Sequence, residues 1–270
     1  MNRETLDRLV AELERIYGIR ILLLSECSSR AWGLSSKSSD HDLAFIYHQL
    51  PWEKKLQDTS NNIHHTKFEG VDFRGYDIRR AFALACNSNL GMYEMLNSPI
   101  RYAQDRQTLQ SMNAVVEYYY APGVLFDSLR GHTKKLLLKY EESGGFDSIP
   151  SKDLQYMLRF ACMAQQIYGF SKLRTDMASI RPADFTHDEF QTLIHLRAFS
   201  AEDYANFKQG VLFKQVIRFA KHTINLQMAN RPPRVIDDEF YVFANRQHHA
   251  LQYWCSNHHN DLEYNKEAFQ

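Results

Sequence analysis

The sequence predicts an α+β unit followed by an all-helical region. Over the first hundred or so residues, short apolar runs of strand length alternate with runs in which apolar residues recur every three or four positions. From about residue 104 onward only the helical period continues. We therefore predict two domains, an α+β core over 1–103 and a helical domain over 104–270.

The first helix is predicted over 3–17. Its apolar residues recur at helical spacing, and Gly18 follows as a helix stop. The next run, IRILLLSE at 19–26, has the length of a buried strand, and DHDLAFIYH at 40–48 alternates well enough for a second. One or two further strands are predicted around a turn at Gly70.

Helices return after these strands. The stretch 79–100 has helical spacing that is broken near 87–91 and stops before Pro99. The order helix, strand, loop, strand, strand, helix is that of an α+β unit. Five later segments carry the helical period: 115–142, 152–170, 187–200, 201–229 and 238–257.

Composition excludes several classes of protein. The 32 basic side chains balance 32 acidic ones, which argues against a non-specific nucleic-acid coat. The four cysteines form no CxxC pair, so neither a zinc framework nor a disulfide scaffold is predicted. The first residues are charged throughout, unlike a signal peptide, and no apolar run reaches the length of a bilayer span. We expect a cytoplasmic protein with no membrane partner.

Two aspartates stand one residue apart at the start of the second predicted strand. Asp40 and Asp42 would project to one face of that strand, with His41 on the other. Carboxylates at strand positions are costly to bury unless a cation compensates them. Two converging oxygen ligands suit a hard cation such as Mg²⁺. The alternative is a solvated strand end that binds nothing.

The loop before these aspartates has the groups of a phosphate-binding turn. Ser28, Ser29 and Arg30 offer hydroxyls, backbone N–H groups and a fixed positive charge. Loop and carboxylates together favour metal-assisted phosphoryl or nucleotidyl transfer, in which a third carboxylate would complete a two-metal site. Asp72, inside the strand-like VDFRGY, ranks above Asp77, which stands where the chain becomes helical and suits a helix N-cap.

The order of these motifs resembles that of a known family. A small residue and a serine, followed after a spacer by Asp-x-Asp, form the signature of the polymerase-beta-like nucleotidyltransferase superfamily. More closely, the stretches SSRAWGLSSKSSDHDLAFIY, VDFRGYDIRRAFALACNSN and YEMLNSPIRY resemble the RlaP family of predicted RNA-repair nucleotidyltransferases. Ser28 stands where that family has glycine. A looser match, KDLQYMLR, resembles a helix of the family and contains Lys152 and Arg159.

The resemblance implies a fold and an activity. The fold would be the minimal nucleotidyltransferase core, a mixed sheet flanked by helices, followed by a helical domain. The activity would be Mg²⁺-dependent transfer of an NMP from an NTP to a hydroxyl acceptor with release of pyrophosphate. Asp40 and Asp42 would hold two Mg²⁺ ions, and Asp72 would complete the shell of the second. The nucleotide would be bound by Ser28, Ser29, Arg30, Lys152 and Arg159.

Two other functions stay open at the level of sequence. One is a catalytically weak module of the same fold that binds RNA or a protein partner, which Ser28 in place of glycine favours. The other is an enzyme that adenylylates a protein side chain. The base of the NTP, the oligomeric state and the acceptor (an RNA end, a protein side chain or a small molecule) are likewise left open.

Overall fold

The structure, a computed structural model, describes most of the chain. The described residues are 2–36, 38–49, 66–170, 173–228, 246 and 263–264. The last predicted helix, 238–257, lies outside them except for Arg246. Every structural statement below refers to the described residues.

The chain forms two compact units. The first is drawn from Met1–Ala31, Asp40–Tyr120 and Pro233–Gln270, and the second from Trp32–Ser39 and Ala121–Pro232. All described strands belong to the first unit and the second is helical, so the predicted α+β class with additional helices is confirmed. The predicted boundary after residue 103 falls just before a helix, Arg106–Tyr119, that belongs to the first unit.

A mixed sheet forms the centre of the first unit. Its strands are β1 (Ile19–Glu26), β2 (Asp42–Gln49), β3 (Thr66–Phe68), β4 (Val71–Asp77), β5 (Arg101–Gln104) and β6 (Glu263–Tyr264). Their order across the sheet is β3-β4-β2-β1-β5-β6. The pair β2 and β4 runs parallel, and the other neighbouring pairs run antiparallel.

Five helices accompany this sheet: α1 (Arg3–Tyr17), α2 (Ser28–Ala31), α3 (Ile78–Cys86), α4 (Leu90–Leu96) and α5 (Arg106–Tyr119). The bounds of α1 follow from local chemistry. The Asn2 side chain accepts a hydrogen bond from the Thr5 N–H at 2.8 Å, and Gly18 ends the helix at φ 58°. Glycine adopts that left-handed conformation without the steric cost that other residues meet, which is why the predicted stop is correct.

Each face of the sheet has its own core. On one face α1 packs against residues that include Leu43 and Phe45 of β2. On the other face α3, α4 and α5 pack against residues that include Ala44 and Ile46 of the same strand. The alternation along β2 therefore decides which core each side chain joins.

The strand β5 was missed by the sequence prediction, which placed no strand at Arg101–Gln104. Its four residues, RYAQ, carry no alternating pattern that could indicate a strand on its own. The segment is instead specified by pairing with β1, where Leu23 lies opposite Gln104. Tertiary pairing thus supplied a strand that local periodicity did not.

Among its described residues the second unit has five α-helices: α6 (Pro122–Glu142), α7 (Ser151–Phe170), α8 (His187–Ile194), α9 (Ala201–Gln209) and α10 (Val211–Asn225). The predicted helical segments are found here with three differences. The segment 115–142 is divided, with its first residues in α5 and α6 beginning at Pro122, and the segment 187–200 is helical only to Ile194 before a short 3-10 turn. The segment 201–229 is divided at Gly210, where the backbone is extended. Within the described chain, no helix is long and apolar enough to cross a bilayer.

Candidate active site

Two of the predicted metal-binding aspartates lie side by side on the sheet. Asp42 opens β2, Asp72 is the second residue of β4, and the two are register partners in the parallel pair. Alternate residues of a strand point to the same face, so Asp42 shares its face with Ala44 and Ile46, and Asp72 shares its face with Tyr76. Ala44, Ile46 and Tyr76 belong to the core under α3, α4 and α5. Both half-buried carboxylates therefore stand on the same face of adjacent strands.

The sheet also brings the serine loop to this edge. Because β1 runs antiparallel to β2, the end of β1 lies beside the start of β2. The Cys27 N–H donates a hydrogen bond to the Asp42 carbonyl at 2.7 Å, and the Asp72 N–H donates to the His41 carbonyl at 3.1 Å. Three segments that are distant in sequence thus meet at one edge through backbone hydrogen bonds.

Asp40 lies just outside the sheet. The strand β2 begins at Asp42, so the alternation expected over 40–42 does not fix the direction of the exposed Asp40 side chain. The Asp40 carbonyl accepts a hydrogen bond from Arg30 Nε at 3.2 Å, which ties the loop after β1 to the segment before β2. The metal role of Asp40 stays a prediction.

Ser28 adopts a backbone conformation that favours glycine. Its φ is +58°, in the left-handed region that L-residues enter at a steric cost. This is the position at which the family resemblance predicts glycine, so the chain keeps the glycine-type turn with a serine in it. Ser29, which follows, is buried, and α2 begins with these two residues.

Asp77 has a different environment from Asp72. It points to the same face of β4 as Val71 and Phe73, the face that packs against α1, and its side chain is 2 % exposed. Its carboxylate accepts from the Arg79 N–H at 2.9 Å and from Arg79 Nε at 2.6 Å. Asp77 therefore caps α3 and pairs with a buried guanidinium, the role that sequence reasoning favoured for it.

The electrostatic surroundings of Cys27 bring two further residues to this edge. Burial, followed by the charge of Glu94, raises the pKa of the Cys27 thiol to about 12, while Arg74 opposes the shift. The thiol is consequently neutral near pH 7, and a neutral buried thiol is a packing residue rather than a nucleophile. Arg74 follows Asp72 by two positions on β4, so the alternation of the strand could have identified it.

Glu26, the last residue of β1, also lies at this edge of the sheet. Its side chain is completely buried, and it receives hydrogen bonds from the Asp42 N–H at 3.0 Å and the Tyr102 hydroxyl at 2.6 Å. His41 Nδ1 lies 2.8 Å from the same carboxylate. The only sequence signal was an acidic residue at the end of an apolar strand, which is too common to identify such a network.

The predicted nucleotide-binding residues of α7 lie in the second unit. Lys152 is exposed, with its ammonium nitrogen 5.7 Å from the centre of the Tyr156 ring. Arg159 is fully buried, donates to the Thr175 carbonyl at 2.8 Å and lies 3.8 Å from the centre of the Trp32 ring. These contacts occupy the Arg159 guanidinium inside its own unit. The nucleotide role of the exposed Lys152 stays a prediction.

The donors at the sheet edge fit a hard divalent cation in part. Asp42 and Asp72 supply carboxylate oxygens, and the Asp72 side chain is 42 % exposed, 3.8 Å from Lys67 Nζ in a surface ion pair of low stability. Among the described residues, no group of three or more His, Cys, Asp or Glu side chains is gathered closely enough to hold a metal. A cation bound here would take further ligands from Asp40, water or phosphate.

Comparison with known proteins identifies the family. The model of the family described as RlaP, RNA repair pathway DNA polymerase beta family, matches residues 1–231. The chain belongs to the RlaP family. The uncharacterized protein YcgL of Bacillus subtilis (strain 168) is 30 % identical over 186 residues, which cover 67 % of this chain and 67 % of that protein.

Membership in RlaP confirms the resemblance predicted from the motifs. The family belongs by its description to the polymerase beta group and to an RNA repair pathway, and this description suggests nucleotidyltransferase activity. The match reaches from α1 into the region after α10 and so includes helices of both units. Of the stretches that resemble RlaP, the serine loop, the Asp-x-Asp segment and the start of VDFRGYD meet at the edge formed by the end of β1 and the starts of β2 and β4.

Proposed function

We propose that the chain is a divalent-metal-dependent nucleotidyltransferase that moves an NMP from an NTP to a hydroxyl acceptor. A bond forms between the acceptor oxygen and the α-phosphorus, the bond from that phosphorus to the bridging oxygen breaks, and pyrophosphate leaves. The proton of the acceptor hydroxyl passes to water. The base of the NTP is not specified by the sheet edge, and an RNA end is the acceptor that the family description favours.

One observation carries the proposal: Asp42 and Asp72 are register partners on one face, beside the loop that ends β1. Like charges placed directly opposite each other on paired strands are destabilising when nothing compensates them. Stability of the fold therefore does not explain a pair of aspartates at an accessible edge. Binding of a cation explains it, because the cation relieves the repulsion between them.

The loop after β1 would bind the triphosphate. Ser28 and Ser29 present hydroxyls and backbone N–H groups, and Arg30 supplies a positive charge next to the Asp40 carbonyl. Asp72 would orient the acceptor hydroxyl from the β4 side.

Divalent ions, when bound, polarise the phosphoryl group and neutralise charge on the leaving pyrophosphate. Asp40 and Asp42 would hold both Mg²⁺ ions, and Asp72 would bind the second. The remaining ligands would come from water and from the nucleotide, as is usual for Mg²⁺.

The direct test is transfer of label from α-³²P-NTPs. The wild-type protein is incubated with Mg²⁺, each of the four NTPs in turn and RNA oligonucleotides ending in a 3′-hydroxyl. Labelled RNA and released pyrophosphate are both expected. Asp42→Asn should reduce the rate by at least about a hundredfold, since even the outer-shell partners of a metal ligand affect activity by 10–100-fold.

Glu12→Gln is the matched control for this test. Glu12 is a carboxylate of α1, the helix on the opposite face of the sheet, where it pairs with Arg15 on the surface. Its replacement should leave transfer at the wild-type rate. Equal activity in Asp42→Asn and the wild type would rule out the proposed site.

The weakly catalytic binding module is a second candidate, and the backbone of Ser28 favours it. At φ +58° a serine carries a Cβ where the family resemblance predicts none, next to the proposed triphosphate. Calorimetry with NTP and Mg²⁺ separates the two functions. Tight binding without pyrophosphate release favours the module, whereas a gain of one nucleotide in the intact mass of a protein partner would identify a protein-modifying enzyme.

A further inference from the structure

Glu26 is a buried acid with an unusual set of partners. Both of its carboxylate oxygens accept hydrogen bonds: Oε1 from the Asp42 N–H at 3.0 Å, and Oε2 from the Tyr102 hydroxyl at 2.6 Å. His41 Nδ1 is 2.8 Å from Oε2 and donates to it, because a carboxylate only accepts. Two of these three partners belong to the segment 40–42.

The backbone of Glu26 is held as firmly as its side chain. The Glu26 N–H donates to the Ile100 carbonyl at 2.9 Å, and Ser98 Oγ donates to the Glu26 carbonyl at 2.6 Å. Burial and the hydrogen bond to Glu26 raise the pKa of Tyr102, so its hydroxyl stays protonated and remains a donor. The carboxylate is therefore a fixed acceptor supported from β1, β5 and the turn before β5.

Glu26 and Asp42 lie on different faces of the sheet. Glu26 is the register partner of Leu43, whose side chain belongs to the α1 face, whereas Asp42 belongs to the other face. Glu26 thus contacts the Asp42 backbone from the face opposite to the Asp42 side chain, so it does not compete with that side chain for a cation. Burying a carboxylate is costly, and a chain that needed only a packed core at this position would have an apolar residue there.

We propose that Glu26 is a positioning residue that fixes the segment 40–42 so that Asp40 and Asp42 present their carboxylates to a metal. The proposal rests on the proposed function, because it assumes that these aspartates bind the cation. Outer-shell groups that orient metal ligands typically change metal affinity by about 10–100-fold when they are removed. Neither the Glu26 carboxylate nor the Tyr102 hydroxyl would touch the metal or the substrate.

The test measures binding of Mn²⁺ alone, by electron paramagnetic resonance of the free ion, without nucleotide or turnover. Glu26→Ala should weaken Mn²⁺ binding by at least about tenfold relative to the wild type. Glu26→Gln should recover most of it, because its amide oxygen still accepts from the Asp42 N–H, and both His41 and Tyr102 can accept from its amide group. Wild-type affinity in Glu26→Ala would overturn the proposal.

Asp105→Ala is the control for a general loss of stability. Asp105 is buried in the same unit and caps α5 by accepting from the Thr108 N–H at 2.7 Å. Its removal should destabilise the unit but leave the Mn²⁺ affinity unchanged. If Asp105→Ala weakens Mn²⁺ binding as much as Glu26→Ala, the effect of Glu26 is merely structural and the proposal fails.

Two further variants keep the outcomes separate. If circular dichroism shows that Glu26→Ala does not fold, Tyr102→Phe decides: it removes one hydrogen bond and should weaken Mn²⁺ binding by about threefold, against no change in Asp105→Ala. A Mn²⁺ affinity in Tyr102→Phe equal to that of the wild type would then overturn the proposal. Asp42→Asn tests the underlying function, since wild-type Mn²⁺ affinity in that variant would remove the metal site itself rather than the role of Glu26.

Discussion

The two ends of β4 carry the same residue type in opposite circumstances. At its start, Asp72 is 42 % exposed, faces its register partner Asp42 and has a lysine nitrogen 3.8 Å away. At its end, Asp77 is 2 % exposed and is bound by both the backbone and the guanidinium of Arg79. Asp77 therefore has both its positive partner and its hydrogen-bond donors inside the protein, whereas the Asp72 carboxylate is accessible to a cation from solvent.

The difference teaches how to distinguish a ligand from a structural carboxylate within one strand. A carboxylate whose oxygen lone pairs already accept hydrogen bonds from the protein cannot use those lone pairs to bind a metal. The same contrast recurs on α7, where Arg159 is buried against Trp32 and Thr175 while Lys152 is exposed. The following predictions test this contrast, from the largest expected effect to the smallest.

Asp77→Ala should cause the largest loss of stability. It would leave the Arg79 guanidinium buried without its partner, and breaking a buried ion pair in this way costs about 3–5 kcal/mol. Urea denaturation followed by circular dichroism measures the change. Mn²⁺ affinity of the folded variant should equal that of the wild type, and a loss of affinity would show that Asp77 is a ligand after all.

Cys27 should resist alkylation. Its pKa of about 12, raised by burial and by Glu94, leaves it protonated at pH 8, and the thiolate is the form that reacts. Peptide mapping after iodoacetamide treatment should give a rate about 1,000-fold below that of the urea-denatured protein at pH 8, rising about tenfold per pH unit up to pH 12. Fast alkylation at pH 8 would show that water and reagent reach the Cys27 thiol itself, against the burial that raises its pKa.

Asp72→Asn should reverse the pattern of Asp77→Ala. Activity should fall by at least about a hundredfold with the metal ligand gone. The free energy of unfolding without metal should change by less than about 1 kcal/mol, because loss of the surface pair with Lys67 is offset by relief of repulsion from Asp42. Radiolabel transfer measures the activity, and urea denaturation of the same preparation measures the free energy of unfolding. A loss of several kcal/mol in that free energy would show that Asp72, like Asp77, is a structural carboxylate.

Ser28→Gly should stabilise the protein by about 0.5–1 kcal/mol, because glycine meets no steric cost at φ +58°. It should also tighten NTP binding, measured by calorimetry, if the serine Cβ hinders the phosphates. Glu69→Gly is the control, since Glu69 has φ +46° in an exposed turn. That variant should relieve backbone strain without any effect on NTP affinity.

Much of the fold was predictable because its signals are local. The periodicity of α1, the apolar runs of β1 and β2 and the left-handed glycine at 18 each depend on neighbours within a few residues. The strand β5 was not predictable, since it depends on a partner about eighty residues earlier in the chain. The assignment of α5 to the first unit likewise depends on packing.

The candidate site divides in the same way. The ordered motifs indicated Asp42, Asp72 and the serine loop, but the register that places the two aspartates opposite each other exists only between strands. Glu26 shows the limit most clearly. Its partners His41 and Tyr102 are 15 and 76 positions away, and no spacing rule connects them.

By itself, the sequence determined the family, the fold class and the kinds of side chain available for chemistry, because composition, periodicity and motif order belong to the chain before it folds. The tertiary structure decided which carboxylates have their positive partner inside the protein and which do not. That distinction depends on distances between strands and on burial, and both arise only when the sheet has formed.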